Sequence, residues 1–273
     1  MKYISQKGMT QRALLFGLNY LSDSEAALSG CINDARNLQS LLVGHMGYQE
    51  DDILMCTDES PIKPTRDTML RLIRDLCLYT HRRHVKQIFI SYSGHGTSVA
   101  DTSGDEKDGR DEVLVPLDYR TNGTITDDEL GTLIRQIHPR TDCVLLIDAC
   151  HSGTMMDFPY RYVSGNKYAL EGKGSIPCRT IMISGCRDDQ TAQEVWSFND
   201  EKQISGLMTS CFIHALSHHS FDITCWKLIK YMQNHISELG AAQRPQLSTS
   251  RQLSETCIFM SNVDNGQPFF LNQ

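Results

Sequence analysis

Two stretches decide how this chain reads: VKQIFISYSGHG (85–96) and CVLLIDACHSG (143–153). Each opens as an unbroken apolar run, the mark of a strand buried on both faces of a sheet. Each then ends in a glycine-flanked turn carrying a reactive group, His95 in the first and Cys150 in the second. Open parallel sheets bind ligands beyond the carboxyl ends of their strands, so both groups fall where chemistry is expected. The interval of 55 residues (150 − 95 = 55) accommodates a strand–loop–helix–strand crossover. The imidazole and the thiol can therefore meet at one rim of the sheet.

Outward from this pair, RALLFGLNYL (12–21), DDILMCTD (51–58), CRTIMISG (178–185) and TCIFMS (256–261) read as strands, with EVLVPLD (112–118) a short one. Ile32, Ala35, Leu38, Leu41 and Leu42 recur at helical spacing up to a stop at Gly47. Met69, Leu72, Ile73 and Leu76 mark a second helix opened by Thr65, and helical patterns return at 207–219 and 224–238. Thr126-x-x-Glu129 is a capping box for a helix beginning at Asp127. Alternating strands and helices predict an α/β fold, a mostly parallel central β-sheet flanked by helices on both faces. The pattern reads as a single domain over residues 1–273, with 1–11 a short N-terminal extension and no long prodomain. Residues 94–110 read as a polar loop, and 151–177 as a long exposed one.

Composition narrows the function. The chain of 273 residues has 26 basic and 33 acidic side chains, a net charge of −7, and a pI near 5.8. That balance argues against a nucleic-acid partner held through phosphates and suits cationic substrates or a divalent metal. No apolar stretch reaches the roughly 20 residues of a membrane helix, and the first residues lack the core of a secretory signal. The ten cysteines form no C-x-x-C pair, which predicts reduced thiols and a cytoplasmic location rather than a disulfide or zinc framework.

A thiol needs a base to become a useful nucleophile, and His95 would supply one. Residues two apart on a strand share a side, so Ser93 sits with His95 and Asp148 with Cys150. A carboxylate beside a thiol opposes its ionisation. Asp148 is better used to hold a cationic group, which predicts a pocket for Lys or Arg beside the scissile bond.

Tyr92-Ser93-Gly94-His95-Gly96 and Asp148-Ala149-Cys150-His151-Ser152-Gly153 resemble the two active-site motifs of metacaspases, cysteine peptidases of the caspase-like fold. The likeness extends from Ala13 through Gly30-Cys31-Ile32-Asn33-Asp34-Ala35 to Pro245-Gln246-Leu247-Ser248, most closely in the compact type I arrangement. The resemblance implies Cys150 as nucleophile and His95 as general acid/base. It implies Asp34, Ser93 and Asp148, with Cys31 nearby, as the substrate pocket, and cleavage after Arg or Lys. Backbone N–H groups at Gly96 and Cys150 would bind the oxyanion. Asp111, Asp127, Asp128 and Asp157 match acidic residues that bind an activating Ca²⁺ in similar proteins, the hard oxygen donors this ion prefers. Members of the family process themselves at basic residues, for which Arg161, Lys167 and Lys173 are candidates here. Ser184 through Ala192 resembles the family's substrate-side loop. The expected partners are protein or peptide substrates, with no nucleic acid, no membrane and a monomeric state. Two other readings use the same residues: a catalytically silent, calcium-responsive binding protein of caspase-like fold, and a redox sensor built on Cys150.

Overall fold

Continuous apolar strands that can bury both faces dictate the architecture. The structure is a computed structural model that describes residues 10–82, 85–100, 109–150, 155–156, 158–164, 167–170, 175–185, 194–196, 204–254, 256–257 and 259–260. In chain order the elements begin β1 (Thr10–Gly17), α1 (Cys31–His45), β2 (Ile53–Thr57), α2 (Arg66–Arg82) and β3 (Val85–Ser93). There follow β4 (Gly96–Ala100), β5 (Arg110–Leu114), α3 (Tyr119–Asn122), β6 (Ile125–Thr126), α4 (Asp127–Ile134) and β7 (Asp142–Asp148). The next are β8 (Tyr160–Ser164), β9 (Lys167–Leu170), β10 (Arg179–Ser184), β11 (Glu194–Trp196) and β12 (Ile204–Gly206). The last are α5 (Leu207–His218), α6 (Cys225–Glu238) and β13 (Gln246–Thr249).

The main sheet has the order β2-β1-β3-β7-β10-β13-β8-β9. β2, β1, β3, β7 and β10 are parallel, and the last three strands run antiparallel beyond them. Alternation along each strand divides the core in two. Ala13, Leu15, Phe89, Val144, Leu146, Ile181 and Ile183 face a layer built by α1, α5 and α6. Leu14, Phe16, Ile88, Ile90, Leu145, Ile147 and Met182 face a second layer built by α2 and α4.

The helices start and stop as local chemistry requires. α1 buries Ile32, Ala35, Leu38, Leu41 and Leu42, and Gly47, at φ +77°, turns the chain out of it. At α4 the capping box is complete: Thr126 Oγ1 accepts from Glu129 N–H, and Glu129 Oε2 accepts from Thr126 N–H, both at 3.2 Å.

Three expectations are corrected. The stretch 94–110 is not simply a loop, because β4 and β5 pair antiparallel across it, Val99 opposite Asp111. The stretch 151–177 is not an exposed loop in its described parts. Met155, Met156, Phe158, Tyr162 and Ile176 are buried, while β8 and β9 extend the sheet. The apolar run 256–261 forms no strand in its described residues; Cys257, Phe259 and Met260 pack irregularly into the α5–α6 layer. The terminal strand is the polar-looking β13, whose four residues are all buried. Among the described residues, no helix is long and apolar enough to cross a membrane. Of the nine described cysteines, eight are buried and Cys150 is half-buried.

Candidate active site

The registers of β3 and β7 bring the two motifs together. Ser93 pairs with Asp148 at the shared carboxyl end, and Gly94 N–H donates to Asp148 O at 3.3 Å. His95 and Cys150 each lie two residues beyond those partners. Contact continues there: a Cβ on Gly96 would overlap the carbonyl oxygen of Cys150 and lie 3.0 Å from Ala149 Cβ. The backbone after the imidazole thus rests directly on the backbone of the thiol residue.

His95 is held by a carbonyl and two tyrosines. Its Nε2 lies 2.7 Å from Ala26 O. A carbonyl only accepts, so Nε2 carries the proton and Nδ1 is the basic nitrogen of the neutral ring. The His95 N–H donates to Tyr20 Oη at 2.9 Å, and the two rings stand 4.8 Å apart. Tyr20 Oη donates to Val115 O at 2.7 Å, and Tyr92 Oη donates to His95 O at 2.7 Å. Burial raises the pKa of both phenols above the ordinary value, which keeps them neutral and able to donate.

The predicted pocket residues converge, and they are deeply buried. Asp34 is 0% exposed and Asp148 4%. Asp34 comes from the first turn of α1, Ser93 and Asp148 from the two strand ends. Ser93 Oγ donates to Asp34 Oδ2 at 2.5 Å; Ser205 Oγ and Gly206 N–H donate to Asp34 Oδ1, the latter at 2.9 Å. Thr209 donates to Asp148 Oδ2 from both N–H (3.0 Å) and Oγ1 (2.8 Å). Gly206 lies between the carboxylates: a Cβ there would overlap Asp148 Oδ2 and sit 2.8 Å from Asp34 Oδ2. Burial, and then the charge of Asp148, push Asp34 up to about 8. Two like charges buried side by side resist joint ionisation. Cys31 is buried at the start of α1.

The predicted calcium ligands come together in part. Pairing of Val113 with Thr126 carries Asp127 and Asp128, at the start of α4, toward Asp111 on β5. Asp111 is 5% and Asp127 4% exposed, and Glu112 is also buried, whereas Asp128 is exposed. Among the described residues no group of three such side chains converges closely enough to hold a metal ion, and Asp157 lies outside the described residues. Of the processing candidates, Arg161 is placed within β8 opposite Ser248 and donates to Gln246 Oε1 at 3.3 Å, so it is not on a free loop. Lys167 is exposed at the start of the edge strand β9. Lys173 falls outside the described residues, as does most of the predicted substrate-side loop beyond Gly185.

Sequence reasoning missed Ala26, Tyr20, Ser205, Gly206 and Thr209. Ala26 contributes only a backbone carbonyl, which no residue type announces. Ser205 and Thr209 reach their carboxylates across 171 and 61 residues of chain, so no local spacing could reveal them.

A thiol residue and an oriented imidazole thus lie beside two buried carboxylates at the carboxyl edge of a parallel sheet, an arrangement of the kind that cysteine-dependent acyl transfer uses. The comparisons with known proteins agree with that class. Residues 11–159 match the family model described as "Metacaspase, peptidase C14 domain". Metacaspase-1A of Neurospora crassa is 30% identical over 302 residues, covering 92% of this chain and 65% of that protein. Metacaspase-1 of Arabidopsis thaliana is 35% identical over 244 residues, covering 84% of this chain and 65% of that protein. The chain belongs to the metacaspase family of cysteine peptidases, and it spans about two thirds of the length of these relatives. The fold is similar to that of a Geobacter sulfurreducens protein (TM-score 0.65, 20% identity, 97% of this chain and 100% of that one). It is also similar to caspase-1 of Spodoptera frugiperda (TM-score 0.55, 9% identity, 90% of this chain and 88% of that one). The sheet is thus caspase-like.

Proposed function

We propose that this protein is a calcium-dependent cysteine endopeptidase that cleaves after Arg or Lys, using Cys150 and His95. The observation that carries the reading is the buried pair Asp34 and Asp148, set where β3 and β7 deliver the imidazole and the thiol. A basic substrate side chain entering this pocket would relieve the repulsion between the carboxylates and be held by charge-assisted hydrogen bonds. His95 Nδ1 takes the Cys150 proton as Sγ attacks the scissile carbonyl carbon. Backbone N–H groups at Gly96 and Cys150 are the candidate donors to the oxyanion. The imidazolium then protonates the leaving amine as the C–N bond breaks. Water, deprotonated by the same nitrogen, hydrolyses the thioester and regenerates the thiol. Ala26 O keeps the ring in the tautomer both half-reactions need.

Calcium would be held by Asp111, Asp127, Asp128 and Asp157, distinct from the dyad, and would order the loops around it rather than polarise the substrate. Self-processing, on this reading, falls at Lys167 or Lys173 rather than at the strand-bound Arg161. The test is a reporter-peptide series ending in Arg, Lys or Asp, with calcium and with EGTA, on wild type and Cys150→Ala. Calcium-dependent cleavage after Arg or Lys, absent in Cys150→Ala, is expected. Equal turnover in EGTA would remove calcium from the account, and cleavage surviving in Cys150→Ala would remove the thiol.

A further inference from the structure

Gln243 sits three residues before β13 and is 3% exposed. Neither its Nε2 nor its Oε1 has a hydrogen-bond partner among the described residues. A side-chain amide can make about four hydrogen bonds, and buried polar groups left without any are rare enough in native proteins to require a reason. Its position supplies one. The point where a Cβ on Gly185 would sit is 2.9 Å from Gln243 Nε2 and 3.0 Å from Asp148 Oδ1. The amide and this carboxylate oxygen therefore crowd the same bare Cα at the end of β10. The Ser184 hydroxyl, one residue earlier, is also fully buried and without a hydrogen-bond partner among the described residues. The two oxygens of Asp148 are differently placed: Oδ2 accepts both bonds from Thr209, while Oδ1 is the one beside Gly185.

We propose that Gln243 is a specificity-determining residue of the pocket: its amide, whose Nε2 lies on the Gly185 side in the free protein, turns over about its terminal torsion so that Oε1 accepts an N–H from the guanidinium of a substrate Arg seated against Asp148 Oδ1. The proposal rests on the pocket being the site for a basic side chain. The chemistry favours Arg over Lys. Asp34 is already engaged by Ser93, Ser205 and Gly206, so the acceptors toward β10 and β13 carry much of the recognition. A planar guanidinium offers two parallel N–H groups and can span a carboxylate oxygen and an amide oxygen at once. An ammonium is a point charge that gains little from the second acceptor. The orphaned amide costs the free protein stability and returns it as selectivity when substrate binds.

The test compares kcat and KM for otherwise identical Arg and Lys reporters in wild type, Gln243→Leu and Gln243→Glu, together with thermal unfolding. Gln243→Leu is expected to lower the Arg/Lys ratio of kcat/KM about tenfold, the scale of one good hydrogen bond to a charged group. The loss should lie mainly in KM for Arg. Its unfolding temperature should hold or rise, because an unpaired polar group has been removed. Gln243→Glu keeps an acceptor and should retain the preference for Arg, which decides the matter even if the Leu variant fails to fold. An unchanged Arg/Lys ratio in an active Gln243→Leu, or a lower unfolding temperature with both reporters losing equally, would overturn the role of Gln243 while leaving the pocket intact. A wild type that turns over neither basic reporter would overturn the pocket and this inference with it.

Discussion

Replacing Asp34 by Asn should flatten how this protein's stability depends on pH. Asp34 is wholly buried, and burial together with the nearby charge of Asp148 raises it to about 8. An aspartate in the unfolded chain titrates near 3.9. Between these limits the folded state holds a proton that the unfolded state has released, so stability falls as pH rises. Its contribution is fully present below about pH 4, declines across the interval, and is lost once the pH passes about 8. The slope for one such group approaches ~1 kcal/mol per pH unit, which amounts to a few kcal/mol between pH 5 and 8. Asn carries no proton to lose and presents no like charge to Asp148, so the slope should flatten. The variant should gain on its parent steadily with pH. Urea unfolding at pH 5, 6, 7 and 8, in a Cys150→Ala background that precludes self-cleavage, measures the difference directly. Parallel stability curves for the two proteins would refute the claim that the acidic pair is electrostatically frustrated.

Other outcomes follow from the same geometry. Tyr20→Phe strips the acceptor from His95 N–H and the donor from Val115 O; leaving buried groups unpaired should cost ~1–3 kcal/mol and lower kcat, read by denaturant unfolding and reporter turnover. Gly206→Ala forces a methyl against both pocket carboxylates, so KM for Arg and Lys reporters should rise, with a stability loss of ~1–3 kcal/mol; an unchanged KM would show that the pocket opens elsewhere. Incubation with calcium, followed by mass spectrometry, should give fragments ending at Lys167 or Lys173; a cut confined to Arg161 would mean that β8 detaches from β13 before processing.

The strands most legible in the sequence were those whose chemistry is uniform. β3 and β7 are continuous apolar runs because both faces are covered, and their glycine-flanked ends advertise His95 and Cys150. β13 escaped because its burial is polar: Gln246, Ser248 and Thr249 are sequestered, and just beyond it Ser250 Oγ accepts from Thr180 N–H at 2.8 Å. Apolar residues 256–261 misled for the opposite reason, since greasy side chains can fill a helix layer without ladder hydrogen bonds. Within the site, Asp34, Ser93 and Asp148 were recognisable by residue type and motif. Their hydrogen-bond donors were not, because long-range contacts leave no period in the chain and a backbone carbonyl such as that of Ala26 has no letter of its own.

The two layers on either side of the sheet support different parts of the candidate site. Asp34 and Thr209 ride on α1 and α5, whose apolar faces belong to one core; Tyr20 and Tyr92, which fix the imidazole, are packed in the other, with Ala26 against it. On the function proposed above, choice of substrate and competence for bond breaking would be anchored in separate reservoirs of packing. Mutational drift in one would then retune preference without disturbing turnover, and drift in the other would dull turnover while preference survived, a division of labour that would let selection adjust the two traits independently.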